Sequence, residues 1–237
     1  MTERTLETSP QAYARISACF YLLTIFAAPF ALFARNTLIV SGNSAATAAN
    51  ILAHESLFRA AYAADLLATA AYIGVTALFY RLFRPVNRSL SLLAAFLSLV
   101  GCALGAVASL FSLAPLAVLG PAPYLSSFQP EQARSLAYLL LKLNGQAFNV
   151  GIVFFGFYCL LIGYLAFRSA FLPRFLGALM ALPGVGWLTF LWPPLALAVT
   201  PFNQACGAIG EISFTLWLLV KGVNNERWKQ QAAAASY

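Results

Sequence analysis

Long apolar runs recur along this 237-residue chain, and they restrict its fold more than any other feature of the sequence. A helix needs about 20 apolar residues to cross the hydrocarbon core of a bilayer. Runs of this kind predict spanning helices at about 16–34, 60–82, 90–112, 146–167, 175–197 and 203–221. Because backbone polar groups in lipid must be paired within the segment, we predict an all-α fold, a polytopic transmembrane helix bundle that forms a single domain over residues 1–237.

The composition agrees with a membrane location. Hydrophobic residues make up 61% of the chain and charged residues 9%, so a soluble domain would lack the polar surface to cover itself. The net charge of +7 falls in short connections and forms no basic surface of the kind that binds nucleic acid. Membrane lipids are therefore the expected partners, and the oligomeric state stays open.

The positions of Lys and Arg predict the orientation. With the N-terminus inside, most basic residues fall on the cytoplasmic side: Arg4, Arg15, Arg81, Arg84, Arg88, Arg168, Arg174, Lys221, Arg227 and Lys229. The positive-inside rule then favours cytoplasmic N and C termini. We expect a multi-pass protein of the cell membrane, the bacterial inner membrane.

Two helical patterns are longer than one crossing requires. The stretch 46–83 is helix-permissive throughout, and 130–167 is similar, with Asn144-Gly145 as the predicted break. We therefore predict outer, interfacial helical extensions at about 46–59 and 130–143.

The four cysteines lie singly in apolar runs, with no spacing typical of a disulfide framework or a metal site. They are expected to be buried thiols. The sequence also contains no metal-ligand, nucleotide-binding or hydrolase motif, so neither a metal nor a cofactor is predicted.

Polar side chains recur on one face of the second predicted helix. Their spacing alternates between three and four residues, which places them on a single stripe. The stripe comprises Glu55, Phe58, Tyr62, Asp65, Thr69, Tyr72 and Thr76, and Arg59 follows Glu55 at the spacing of a helical ion pair. An interfacial ion pair and helix packing are the ordinary explanations of these residues.

Two other helices carry matching polar faces. Lys142, Gln146 and Asn149 share a face of the fourth span, and Gln204 and Glu211 share a face of the sixth. All three helices enter from the predicted outer side, so the polar groups are expected at one depth. Lys142 is explained equally well as a side chain that reaches the interface.

Intramembrane acids usually mark function, so Glu211 and Asp65 are the predicted catalytic residues of a shared pocket. The predicted substrate-binding residues are Glu55, Arg59, Tyr62, Thr69, Tyr72, Lys142, Gln146, Asn149 and Gln204.

Several blocks resemble one bacterial family. "LIVSGNSAATAANILAHESLFRAAYAADL", "YRLFRPVN", "VFFGFYCLLIGYL", "RSAFLPRFLGALMALPGVGWL" and "IGEISFTLWLLVKGV" are similar to the bacterial domain-of-unknown-function family 4386. The resemblance implies a small polytopic membrane protein without an established activity. The family tends to carry Gly-Asp where this chain has Gly42-Asn43, so no role for an acid is expected there.

Three functions fit these features. The favoured hypothesis is a membrane enzyme that uses general acid chemistry on an apolar ligand, either a lipid or an isoprenoid. Aromatic rings would stabilise the positive charge that develops on this ligand. The alternatives are a proton-coupled small-molecule transporter and a non-catalytic membrane sensor or partner subunit.

Overall fold

The computed structural model describes residues 9–121 and 127–235, and every regular element within them is helical. The helices are α1 (Pro10–Leu38), α2 (Ser44–Ala53), α3 (Glu55–Phe83), α4 (Arg88–Leu119), α5 (Pro130–Arg168), α6 (Arg174–Leu188), α7 (Pro193–Ala198), α8 (Thr200–Gly207), α9 (Ser213–Val220) and α10 (Asn225–Ala234). A 3₁₀ turn at Thr189–Leu191 follows α6, and a π-helical turn at Ala208–Ile212 joins α8 to α9. The predicted all-α fold is confirmed.

Five helical segments are long and apolar enough to cross a membrane: α1, α3, α4, α5 and Arg174–Leu191. Thr200–Val220 supplies a sixth when it is taken together with α10, which follows a bend of 102°. Large apolar side chains such as Phe26 and Phe33, 71% and 72% exposed, suit a lipid-facing surface. The chain is a multi-pass membrane protein, as predicted. Arg4, one of the basic residues used to predict orientation, lies outside the described residues.

Helix boundaries differ from the prediction at three places. The stretch 46–83 divides at His54, which ends α2 before Glu55 begins α3. The predicted break at Asn144 is wrong, because α5 is continuous and the Asn144 amide donates to the carbonyl of Ala108 at 2.7 Å. The fifth span ends earlier than predicted, because the chain turns at Trp192, before two prolines that cannot continue the helix.

The chain forms two compact units. The second unit comprises Thr24–Ala70 and Cys102–Gly151, and the first unit comprises the rest of the described chain. Apolar side chains from four segments, Leu38, Ile51, Phe58 and Leu141, form a buried cluster in the second unit. The first unit contains a group of T-shaped aromatic contacts, described below.

The start of α1 contacts the turn after α9 within the first unit. The Gln11 amide donates to the carbonyl of Lys221 at 3.2 Å and accepts from the Val223 N–H at 2.8 Å. Between them Gly222 has φ +69°, which favours glycine, and a Cβ there would overlap the Gln11 amide. α1 therefore holds the turn that follows α9.

The cysteines are all free. Cys102, Cys159 and Cys206 are buried as predicted, but Cys19 is exposed on α1. The prediction of four buried thiols is therefore wrong at Cys19. A cysteine behaves as a small apolar side chain, so it is suited to a lipid-facing surface as well as to the interior.

Candidate functional site

Glu211 lies in the π-helical turn that joins α8 to α9, and its side chain is half-buried. A π-helical turn is rare and occurs frequently at functional sites. The turn faces α6, where two close approaches fix its position.

The close approaches are made at glycines. A Cβ on Gly210 would overlap the carbonyl oxygen of Leu179 and lie 2.5 Å from Cδ of Pro183. A Cβ on Gly207 would lie 2.6 Å from the ring of Trp187. Because neither glycine has a side chain, α6 packs directly on the last span.

This packing brings an indole to the acid. Trp187 Nε1 donates a hydrogen bond to Glu211 Oε1 at 3.1 Å. An interfacial aromatic belt would explain an exposed tryptophan, but Trp187 is half-buried and bonded to Glu211. Trp192, 67% exposed, is the one that a belt position fits.

Tyrosines complete the surroundings of the acid. Tyr21, a fully buried residue, lies close to Glu211. The Tyr21 hydroxyl lies 3.3 Å from the hydroxyl of Tyr72. The Tyr72 ring contacts those of Phe155 and Tyr158 edge to face, at centroid distances of 4.8 and 5.9 Å. An acid and a group of aromatic rings therefore share one part of the first unit.

Two buried polar atoms lie on the same span as Glu211. Thr215 is fully buried, and its Oγ1 has no hydrogen-bond partner in the described chain. Asn203 is 1% exposed; its amide N–H donates to Thr189 Oγ1, while its Oδ1 is likewise without a partner there. Such groups are rare because burial without a hydrogen bond is costly.

A second polar site lies in the second unit. The guanidinium of Arg35 on α1 contacts the carboxylate of Asp65 on α3 at 2.5 Å and donates to Ser112 Oγ on α4 at 2.9 Å. Thr69, another residue of the predicted stripe, donates to the backbone carbonyl of Asp65. Asp65 therefore forms an ion pair with a buried arginine.

The remaining predicted binding residues are exposed or half-buried. Arg59 donates to Glu55 at 2.7 Å, which confirms their pairing as an exposed ion pair. Lys142 is exposed and lies 5.2 Å from the Tyr138 ring centroid. The others are exposed or half-buried: Tyr62, Gln146, Asn149 and Gln204. Their role in substrate binding stays a prediction.

Of the predicted site residues, the structure places Glu211 and Tyr72 both beside Tyr21, and it joins Asp65 with Thr69. Glu211 belongs to the first unit and Asp65 to the second, so the shared pocket stays a prediction. No group of three His, Cys, Asp or Glu side chains suited to a metal occurs in the described chain.

Sequence reasoning missed several residues of these sites, among them Arg35, Tyr21 and Trp187. Arg35 lies just beyond the predicted span 16–34, although α1 continues to Leu38. Tyr21 and Trp187 come from spans without a polar stripe. The only signal in the sequence is that the Tyr O–H and the Trp N–H need a hydrogen-bond partner when they are buried.

These features define a class: a multi-pass helical membrane protein with polar groups held inside its spans. The family model described as "Domain of unknown function (DUF4386)" matches residues 16–222, and the chain belongs to that family. The resemblance seen in the sequence is thus confirmed. An uncharacterized protein from Archaeoglobus fulgidus is 28% identical over 157 residues, which cover 63% of this chain and 76% of that relative. No solved structure matches the chain.

Proposed function

We propose that this protein is a membrane enzyme that acts on an apolar lipid or isoprenoid, with the Glu211 carboxyl group as general acid. The observation that supports this is a contrast between acids. Glu55 and Asp65 each pair with an arginine, whereas Glu211 forms no ion pair in the described part of the chain. Inside a membrane an unpaired carboxyl group costs less in its neutral form than as a carboxylate. Glu211 therefore holds a proton that it can donate.

The aromatic rings supply the second requirement. Protonation of a carbon–carbon double bond leaves a positive charge on carbon, and the faces of aromatic rings attract cations. The ring of Tyr21, which lies close to the acid, contacts the rings of Tyr72 and Phe79 at centroid distances of 5.3 and 6.2 Å. A carbocation formed beside Glu211 would lie close to these rings.

The proposed step balances without a co-reactant. The Glu211 O–H bond breaks as a C–H bond forms from the π electrons of the substrate double bond. The carboxylate that remains is stabilised by the N–H of Trp187. Loss of a proton from a neighbouring carbon forms a new double bond, and the carboxyl group recovers a proton. The net reaction is an isomerisation in which the double bond moves to a neighbouring position.

Asp65 has a different part in this proposal. Its carboxylate neutralises the charge of Arg35 inside the membrane. Because this role needs the ionised form, Asp65 is not a second proton donor. Tyr72 is the predicted binding residue that the proposal keeps beside the acid.

Solvent deuterium tests the proposal. Purified protein is reconstituted into liposomes made from the total lipid extract of the expression host, incubated in D₂O, and the lipids are analysed by mass spectrometry. Wild type is expected to convert one lipid or isoprenoid into an isomer that carries solvent deuterium. Glu211→Gln should abolish the incorporation, and Glu131→Gln, which alters an exposed acid outside the predicted site, should preserve it.

Equal incorporation in wild type and Glu211→Gln would overturn the proposal, as would no incorporation above empty liposomes. A pH-sensitive dye inside the same liposomes separates the transporter alternative. Proton flux that needs Glu211 but converts no lipid would identify a transporter.

A further inference from the structure

A cleft of about 460 Å³ opens in the first unit between the α5–α6 connection and α10. Ser169, Pro173 and Arg174 line one wall, and Arg227 and Gln230 line the other. It lies apart from the Glu211 site in sequence and shares none of that site's residues.

Two hydrogen bonds join the two walls of the cleft. The Asn224 N–H donates to the carbonyl of Phe171 at 3.2 Å, and the Ala170 N–H donates to Gln231 Oε1 at 3.0 Å. Asn224 also caps α10, because its Oδ1 accepts from the Arg227 N–H at 3.0 Å. Arg227 therefore lies on α10 between two residues, Asn224 and Gln231, that are bonded to the opposite wall.

The cleft carries positive charge that no described acid neutralises. Arg174 and Arg227 are exposed, and neither pairs with a carboxylate in the described residues. The guanidinium of Arg174 lies 5.8 Å from the Phe167 ring centroid, which leaves its N–H groups available. Glu226 precedes Arg227 but does not line the cleft.

The cleft lies where spans end. α5 ends at Arg168, α6 begins at Arg174, and α10 turns away from the last span by 102°. Trp228 anchors α10, since its Nε1 donates to the carbonyl of Leu82 at the end of α3 at 2.8 Å. Lipid headgroups lie at this level of a membrane, and clusters of basic residues beside spanning helices attract anionic lipids.

We propose that this cleft binds the phosphate group of an anionic membrane lipid, held by the guanidinium groups of Arg174 and Arg227. A guanidinium offers two parallel N–H donors that match the oxygens of a phosphate. The Gln230 amide supplies a neutral donor on the same wall. The rest of the lipid extends along the apolar surface of the spans.

Lipid retention measured by native mass spectrometry tests this site. Detergent-solubilised protein is titrated with phosphatidylglycerol, with phosphatidylcholine, and with inorganic phosphate as a competitor. Wild type is expected to retain one phosphatidylglycerol preferentially. The double variant Arg174→Gln/Arg227→Gln should bind it about tenfold more weakly or worse, since two charge-assisted contacts are lost.

The matched control is Arg168→Gln/Lys229→Gln, which removes the same charge near the cleft from residues that do not line it. Its affinity should stay within about twofold of wild type, because neither side chain lines the cleft and so neither contacts the phosphate. Arg174→Lys/Arg227→Lys keeps the charge and should restore part of the binding.

Two results would overturn the assignment to a lipid. One is equal retention of phosphatidylglycerol by wild type and the Arg174→Gln/Arg227→Gln variant. The other is displacement of the lipid by equimolar inorganic phosphate, which would identify a site for the free anion.

Discussion

The guanidinium of Arg35 and the carboxylate of Asp65 meet inside the second unit, although 30 residues separate them in the chain. Their side chains are only 8% and 17% exposed, so solvent screens the pair weakly. The pair joins α1 to α3, and Ser112 extends it to α4.

Asp65→Asn should therefore lower the free energy of unfolding by about 3–5 kcal/mol, because it leaves a buried guanidinium without its counter-charge. Unfolding in mixed detergent, followed by circular dichroism, measures the change. Glu55→Gln, which breaks the exposed pair with Arg59, is the matched control and should cost less than about 1 kcal/mol.

The double variant Arg35→Met/Asp65→Leu separates charge from packing. Removing both charges should recover most of the stability that Asp65→Asn loses, since no unpaired ion remains. If the double variant is as unstable as Asp65→Asn, the loss arises from packing and not from the unpaired charge.

Trp187→Phe tests the hydrogen bond to Glu211. The variant keeps a ring against Gly207 but removes the N–H, so deuterium incorporation should fall roughly 3- to 10-fold while the fold is retained. The same lipid assay and a melting curve measure both effects. Trp192→Phe, at an exposed position, should change neither, and an equal fall in both variants would contradict the role given to Trp187.

Gly210→Ala and Gly145→Ala should have opposite effects on stability. A Cβ at Gly210 overlaps the backbone of α6, so its cost is expected at about 1–3 kcal/mol. A Cβ at Gly145 meets nothing within 4 Å and lies inside α5, where alanine is favoured by about 0.5–1 kcal/mol. Thermal unfolding of the two variants decides the signs, and a stabilising Gly210→Ala would show that α6 is not packed as described.

Thr215→Val and Thr76→Val also form a matched pair. The Thr215 hydroxyl is buried without a described partner, so its removal should raise the free energy of unfolding by about 1 kcal/mol. Thr76 Oγ1 lies 2.6 Å from Ser98 Oγ and bonds the carbonyl of Tyr72, so its removal should lower the free energy by about 1 kcal/mol. Equilibrium unfolding measures both, and a destabilising Thr215→Val would mean that its hydroxyl is paired in the membrane.

Helical periodicity was sufficient to predict the inward face of α3. Phe58, Tyr72 and Thr76 are buried, and Asp65 and Thr69 are half-buried, as a repeat of three and four residues requires. Such a pattern depends only on residues of one helix. Hydropathy predicted the spans for the same reason.

Partners on other helices were beyond this reasoning. Asp65 pairs with Arg35 and Glu211 bonds Trp187 because helices pack in a particular rotation, which a single sequence does not specify. The error at Asn144 has a similar cause, since a residue that favours turns stays helical where its amide finds a carbonyl on α4. The π-helical turn at Glu211 likewise depends on contacts with α6.

The bonds between Gln11 and the turn after α9 have a consequence for biosynthesis. The ribosome makes Gln11 more than 200 residues before Lys221, because the two lie 210 positions apart. α1 enters the membrane first but gains these bonds only when the last span has been inserted. The contact is thus completed late in assembly, and a chain that stops before Lys221 leaves the start of α1 without its final partner.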